Sequence, residues 1–251
     1  MAFSDLLKMI PTKNELKGGF GEYLTKGYSK LFTDALVLHD VLIDGDEGRT
    51  SQIDLILIGA TGLYVVEVKN FMDAKIYGDG KKSKWYYYRG GKKFEFYNPL
   101  LQNKKHIAYL KTFLKDFGEI PFFSVLTVFC NDFKISNINA PGEKTTAVCS
   151  SLSAMREGIH LLAEGQPRVL DQQKEQAIYD FILAGQHQGR EERQAHKEQV
   201  QEYKAAQKEM EKEKICPYCK IPLVERKGKY GAFYGCANYP RCRYILKKTE
   251  E

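Results

Sequence analysis

Two apolar, β-branched runs separated by four small residues leave this chain little choice of local structure. Residues 52–58 (QIDLILI) and 63–69 (LYVVEVK) flank Gly59-Ala60-Thr61-Gly62. Strand, glycine-bearing loop and strand in that order read as a β-hairpin. Pairing Ile58 with Leu63 places Asp54 directly across from Glu67, with facing side chains roughly 4.5–5.5 Å apart. Lys69 lies two residues beyond Glu67 and shares its face, because side chains alternate along a strand.

Two carboxylates held together on otherwise buried strands repel unless positive charge sits between them. A divalent cation resolves that repulsion, and hard oxygen ligands suit Mg²⁺ or Mn²⁺. Lys69 adds a fixed cation beside it. Such a set can hydrolyse a phosphodiester: the metal generates hydroxide, and the lysine positions water or stabilises the transition state. Out of context, the same residues are equally the charged face of an edge hairpin, with Lys69 merely pairing with Glu67.

At 251 residues and 43% hydrophobic content, the chain can build one well-packed domain and a small appendage. No apolar run approaches the roughly 20 residues of a membrane span. The opening MAFSDLLKMIPTK lacks a basic start, a sustained apolar core and a small-residue cleavage site. The expectation is a cytoplasmic protein with no membrane partner. The net charge is +6, and residues 215–251 hold eight basic and three acidic residues, a net of +5. The first 214 residues therefore carry +1, which points to a polyanion as partner of the tail.

Phe20, Leu24, Tyr28, Leu31 and Phe32 mark a buried helical stripe over residues 14–32. Strands are expected at 35–43, 74–77, 85–88 and 94–97. Asn98-Pro99 starts a helix that runs to about Phe117 and buries Leu101, Ala108, Leu110, Phe113 and Leu114. Residues 122–130 (FFSVLTVFC) read as a fully buried strand and 145–149 as another, with helices at 151–163 and from 171 onward. Residues 1–185 thus form an α/β domain built on a mixed sheet flanked by helices. Residues 186–214 hold seven basic and seven acidic residues and read as a charged helical linker. A contact with a protein partner or a second copy through this linker is the sharper alternative, although no apolar heptad runs through it.

Cys216-Pro217-Tyr218-Cys219 and Cys236-x5-Cys242 are two cysteine pairs 16 residues apart, with Gly228-Lys229-Tyr230-Gly231 between them. That spacing is a four-cysteine zinc ribbon over residues 215–251, in which Zn²⁺ supplies folding energy that so small a core cannot. Four thiolates fill the coordination sphere, so this zinc is structural. The ribbon interleaves aromatic and basic residues, among them Arg226, Lys229, Tyr230, Phe233, Tyr239, Arg241 and Arg243. Rings stack on unpaired bases while cations follow phosphates, the way single strands are held without sequence preference; alternatively several rings build the ribbon's core. Cys130 and Cys149 sit in buried strand patterns and read as core residues.

Residues 15–115 resemble the nuclease-related domain of the PD-(D/E)xK nuclease superfamily. The matching residues are Gly21-Glu22, Gln52-Ile53-Asp54, Glu67-Val68-Lys69, Trp85 followed by Gly90-Gly91, and Asn98-Pro99-x-x-Gln102. The tail resembles the four-cysteine zinc ribbons at the C-terminus of bacterial type I topoisomerases, through Cys-Pro-x-Cys, Pro222-Leu223, Gly231-x-Phe233, Gly235-Cys236 and Asn238-Tyr239-Pro240-x-Cys242. The first resemblance implies a restriction-endonuclease-like core, with Asp54 and Glu67 as metal ligands, Lys69 as catalytic lysine, Glu22 as a helix-borne acid and Gln102 as a supporting polar residue. Glu22 is equally plain surface, and Gln102, on one helical face with His106, equally a surface residue. Trp85 with Lys81, Lys82, Lys84, Arg89, Lys92 and Lys93 suits a grip on a phosphate backbone, or a solvated hairpin around one packing tryptophan. The expected activity is a metal-dependent DNA nuclease whose ribbon holds DNA, plausibly single-stranded. A catalytically silent DNA-binding accessory protein, an RNA-processing nuclease and a scaffold acting through residues 186–214 stay open as alternatives.

Overall fold

The long β-branched runs form strands because both of their faces find apolar cover. The computed structural model describes residues 35–46, 48–228 and 231–247. The helix expected over residues 14–32, with Glu22, lies outside them, as do Lys229 and Tyr230. Described residues divide between His187 and Gln188 into two compact units.

The first unit opens with β1 (Leu36–Asp44), β2 (Thr50–Gly59) and β3 (Gly62–Asn70), an antiparallel meander. Next come β4 (Lys75–Asp79), β5 (Lys84–Arg89), β6 (Lys92–Tyr97) and helix α1 (Pro99–Phe113), which ends in a short 3-10 turn, Lys115–Phe117. β7 (Phe122–Phe129), β8 (Asp132–Ser136), β9 (Thr146–Cys149), α2 (Leu152–Ala163) and α3 (Gln172–Gly185) complete it. Polar side chains cap each helix: Asn98 accepts from Leu100 N, Ser151 from Ala154 N and Asp171 from Lys174 N.

Among the described residues, five strands form the central sheet in the order β1-β2-β3-β7-β9, with β7 parallel to both β3 and β9. Side chains alternate between its two faces, with a break of phase at Asp54, so that Ile53 and Ile56 share a side. Ile53, Ile56, Ile58 and Val65 pack with Leu110, Leu114, Ile178 and Ile182 of the α1 and α3 side. Leu55, Leu57, Val66 and Val125 pack with Met155, Ile159 and Leu162 of α2. A sheet covered on both faces explains why these strands read as unbroken apolar runs.

The hairpin strands at 74–97 do not extend that sheet. They form a second one in the order β6-β5-β4-β8, with β8 parallel to β4. β8 was not foreseen, since only Phe133 and Ile135 alternate with polar residues over five positions. The inner face of this sheet presents Ile76 and Trp85 to Leu100, Leu126 and Val128. Trp85 fits because Gly78 lies across from it: a Cβ on Gly78 would come within 2.5 Å of the indole ring. Gly78→Ala is therefore expected to destabilise the first unit by about 1–3 kcal/mol through overpacking, read as a lower midpoint in thermal unfolding.

The second unit pairs helix α4 (Arg190–Lys212) with β10 (Leu223–Gly228), β11 (Gly231–Cys236) and β12 (Ile245–Lys247), an antiparallel ribbon. The charged linker is thus helical, with no buried residue along its length. Its end docks on the ribbon: Ile215 N donates to Met210 O, Leu223 N donates to Lys214 O at 2.6 Å, and the Tyr244 hydroxyl bonds Glu211. No helix among the described residues is long and apolar enough to cross a membrane.

Candidate functional site

The hairpin register is as expected from Gly59–Gly62 back to Leu55–Val66, where the β2–β3 ladder ends. Beyond that point β2 continues with β1, while β3 stays paired to β7 as far as Asn70–Phe129. The two strands fork, and Asp54 and Glu67 stand at the fork. With no β2 backbone partner left, Val68 N donates to Asp54 Oδ2 at 2.7 Å. That bond fixes the carboxylate in the opening.

Glu67 is 2% exposed. Lys69 Nζ reaches its Oε1 at 2.5 Å and also donates to Gln102 Oε1 at 3.1 Å. The other oxygen, Oε2, lies 3.3 Å from His106 Nε2, and Gln102 Nε2 is 3.3 Å from the same ring nitrogen. The opposite ring nitrogen, Nδ1, bonds Ser51 Oγ at 2.7 Å. Asp54, Glu67, Lys69 and Gln102 therefore gather at one place.

The electrostatics separate the two acids. Burial, and next the Glu67 charge, push the Asp54 carboxyl up from 3.8 to about 6. Burial acts on Glu67 in the same sense, but the His106 hydrogen bond and the Lys69 charge outweigh it and hold its carboxyl below the ordinary value. The fork thus presents one well-compensated carboxylate beside one that lacks a full counter-charge. Oxygen donors in that condition fit a divalent cation.

Of this constellation Ser51 was not singled out, and His106 only as sharing a helical face with Gln102. The cause is the phase of α1. The expectation buried Leu101, Ala108 and Phe113, yet Ala108 is exposed and the other two are only partly covered; the buried positions are Pro99, Leu100, Asn103, His106 and Leu110. The helix presents polar residues to the sheet: Asn103 Nδ2 donates to Val65 O at 2.8 Å and to Ser124 Oγ at 2.9 Å. An apolar-stripe reading cannot find such a face. The spacing of Gln102 and His106, one helical turn apart, is the sequence signal that points to this face.

Of the expected phosphate-gripping residues, Lys81, Lys82 and Arg89 are exposed, and Arg89 also donates to Met72 O. Trp85 is 1% exposed, and its Nε1 donates to Asp79 O at 2.9 Å. Trp85 therefore packs the inner face of its sheet and offers no ring to a base, because Gly78 gives the indole a berth beneath the strands.

In the ribbon, the four sulfurs of Cys216, Cys219, Cys236 and Cys242 lie within 4.8 Å of one another. Cys216 and Cys242 are 3.6 Å apart, Cys219 and Cys236 3.3 Å. All four are free thiols. A tetrahedral zinc with bonds of about 2.3 Å needs sulfur–sulfur edges of roughly 3.8 Å, so the cluster is sized for zinc. Lys220, with φ +61, turns the first knuckle, and Asn238 N donates to Cys236 Sγ in the second. Tyr239, 59% exposed, lies under the Arg226 guanidinium. Arg241 and Arg243 are exposed and Phe233 half-buried. Tyr244 is buried in the ribbon's small core with Leu223. Of the other cysteines, Cys149 is buried in the main core and Cys130 is half-exposed at the end of β7.

Comparison with known proteins finds two families along the chain. The nuclease-related domain family matches residues 17–130, and the topoisomerase DNA-binding C4 zinc finger family matches residues 213–251. The chain thus carries a nuclease-related domain followed by a topoisomerase-type zinc ribbon. An uncharacterized protein of Bacillus anthracis is 40% identical over 111 residues, 43% of this chain and 51% of its own length. DNA topoisomerase 1 of Methanocaldococcus jannaschii is 59% identical over 34 residues, 14% of this chain and 4% of that enzyme. The uncharacterized protein YrdD of Escherichia coli is 53% identical over 30 residues, 12% of this chain and 17% of its own. The chain spans about half the length of the first relative and a small fraction of the others. No solved structure matches it.

Proposed function

We propose that this protein is a Mg²⁺- or Mn²⁺-dependent deoxyribonuclease in which residues 1–185 cut DNA and residues 215–251 hold it, joined by the helix within residues 186–214. The observation that carries the reading is the fork between β2 and β3, where Asp54, anchored on Val68 N, meets Glu67 and the Lys69 ammonium. Asp54, Glu67 and the Val68 carbonyl would hold the cation, with Glu22 as a further acid. When bound, the metal supplies a water of lowered pKa and neutralises phosphate oxygens.

The chain's own groups do the rest. Lys69, steered by Gln102, brings a fixed positive charge to the scissile phosphate, where such donors are most effective because they need no reorganisation. His106, held through Ser51, orients Glu67 by its Oε2 and so acts as a positioning residue. Exposed Arg241, Arg243 and Tyr239 of the ribbon, with Arg226, Phe233, Lys229 and Tyr230, would engage the DNA, and structural Zn²⁺ on the four cysteines would hold their frame.

The test is cleavage of supercoiled, linear and single-stranded DNA with Mg²⁺ or Mn²⁺. Wild type is expected to cut, and Lys69→Ala to lose about 10²–10³-fold in rate. His106→Ala is expected to raise the metal concentration for half-maximal activity by about 10–100-fold while retaining measurable cutting at saturating metal. Wild type that binds DNA but cuts none of the three forms would overturn the reading in favour of a DNA-binding accessory protein.

A further inference from the structure

The second sheet has an outer face that the proposed chemistry does not use. Its inner face is spent on Ile76, Trp85 and their neighbours, so the alternate residues of the same strands point the other way. The register lays them out as a grid. Tyr77 is across from Tyr86 on one side and Lys134 on the other, while Tyr88 is across from Lys75 and from Lys93. Lys75, Tyr88, Lys93 and Lys134 are exposed, and Tyr77 and Tyr86 half-exposed.

The three rings form one patch. Tyr77 and Tyr86 stack at 5.5 Å and 14°, and Tyr88 stands edge-on to both at 5.7 and 5.9 Å. Lys93 Nζ sits 4.0 Å from the centre of the Tyr86 ring. Such cross-strand pairs stabilise the sheet itself, and they also leave accessible ring surface beside ammonium groups. The surrounding charge is segregated as well. Residues 75–97 contain seven basic and two acidic residues, a net of +5, although the first 214 residues together carry only +1. The rest of that stretch is therefore net acidic, and this sheet is where its positive charge is concentrated.

We propose that the Tyr77–Tyr86–Tyr88 face of this sheet is a docking surface for single-stranded DNA. Rings flanked by cations take unpaired bases by stacking while the lysines meet the phosphates. Four strands give a face about 14 Å across, room for a few nucleotides. Three acids, Glu95 across from Tyr86, Asp132 across from Lys75 and Asp79 two residues beyond Tyr77, interrupt the face. A continuous duplex backbone would run over them, whereas bases laid on the rings need not. DNA is favoured over RNA because the same chain carries a DNA-binding type of zinc ribbon. The surface adds a substrate form to the nuclease reading, yet it is measured without cleavage.

The experiment uses the full chain, zinc-loaded and without added Mg²⁺ or Mn²⁺, with a 20-nucleotide oligothymidylate carrying bromodeoxyuridine. Ultraviolet crosslinking followed by peptide mass spectrometry is expected to find adducts at Tyr86 or Tyr88 as well as in the ribbon. Tyr86→Ser with Tyr88→Ser is expected to remove the sheet adducts and weaken binding on the order of tenfold. Lys93→Glu with Lys134→Glu, which leaves every ring in place, should weaken it comparably and lower the salt dependence by about two released ions. Wild-type thermal midpoints in both variants would exclude unfolding as the cause. Adducts confined to residues 213–247, tighter binding of duplex or of the matching RNA, or protection of this face by a second copy of the chain would each overturn the proposal. Sheet adducts in a protein that never cuts would uphold it and sink the nuclease reading instead.

Discussion

Asp54→Asn is expected to abolish DNA cleavage and, without added Mg²⁺ or Mn²⁺, to make the protein more stable. Both effects have one source. Asp54 is held by Val68 N beside Glu67, and burial with the neighbouring charge pushes its carboxyl up to about 6. At neutral pH it is ionised at a cost to folding of roughly 3 kcal/mol. Asparagine keeps an oxygen for Val68 N and removes the repulsion, so a gain of about 2 kcal/mol is expected. The pH dependence has a definite sign. The native state takes up a proton that the unfolded chain, near 3.8, still lacks. Wild-type stability from Asp54 is therefore present in full below the unfolded value and lost as pH rises through about 6. Calorimetry over pH 4–8 should show that slope in wild type and not in Asp54→Asn. An unchanged or lower midpoint in the variant would mean that the two acids do not oppose each other.

Cys236→Ser is expected to have the second large effect, confined to the ribbon. Zinc binding in comparable small modules is worth about 10–16 kcal/mol. The ribbon's own buried set is little more than Cys216, Leu223, Cys236 and Tyr244. Without the metal, that core cannot offset the entropy of ordering the strands. Wild type should carry one zinc per chain by elemental analysis, and the variant none. Amide exchange protection over residues 215–247 should vanish in the variant, while the thermal midpoint of the first unit stays put. Affinity for oligothymidylate should fall at least tenfold. A zinc-free variant whose ribbon amides stay protected would show that the cysteines are not what folds it.

What could be read from the sequence was whatever a short period encodes. The pairing of Ile58 with Leu63 follows from a four-residue loop, and from it the convergence of Asp54 and Glu67. Cysteine spacing is likewise a geometric code. The fork at Val66 was not legible, because it depends on β3 leaving β2 to follow β7, a choice made by long-range packing. The second sheet escaped for a similar reason: Asp132–Ser136 has only two apolar residues to announce a strand. The core face of α1 was misread since Asn103 and His106 hold places usually given to leucines. Trp85 shows the opposite error, an aromatic among lysines that packs inward because Gly78 makes room.

The cap of α1 has a further consequence. Asn98 not only accepts from Leu100 N; its Nδ2 donates to Lys82 O at 2.7 Å and lies within reach of the Asp79 and Gly80 carbonyls, and its backbone N donates to Ser83 O. One amide thus clasps the loop between β4 and β5 and starts the helix that carries Gln102 and His106. The lysines of that loop face water, and their side chains take no part in the clasp. The loop's length does: an inserted or deleted residue would shift the carbonyls Asn98 grips and swing the helix away from the fork. Over evolutionary time the clasp fixes the number of letters in this loop, whatever decides their spelling.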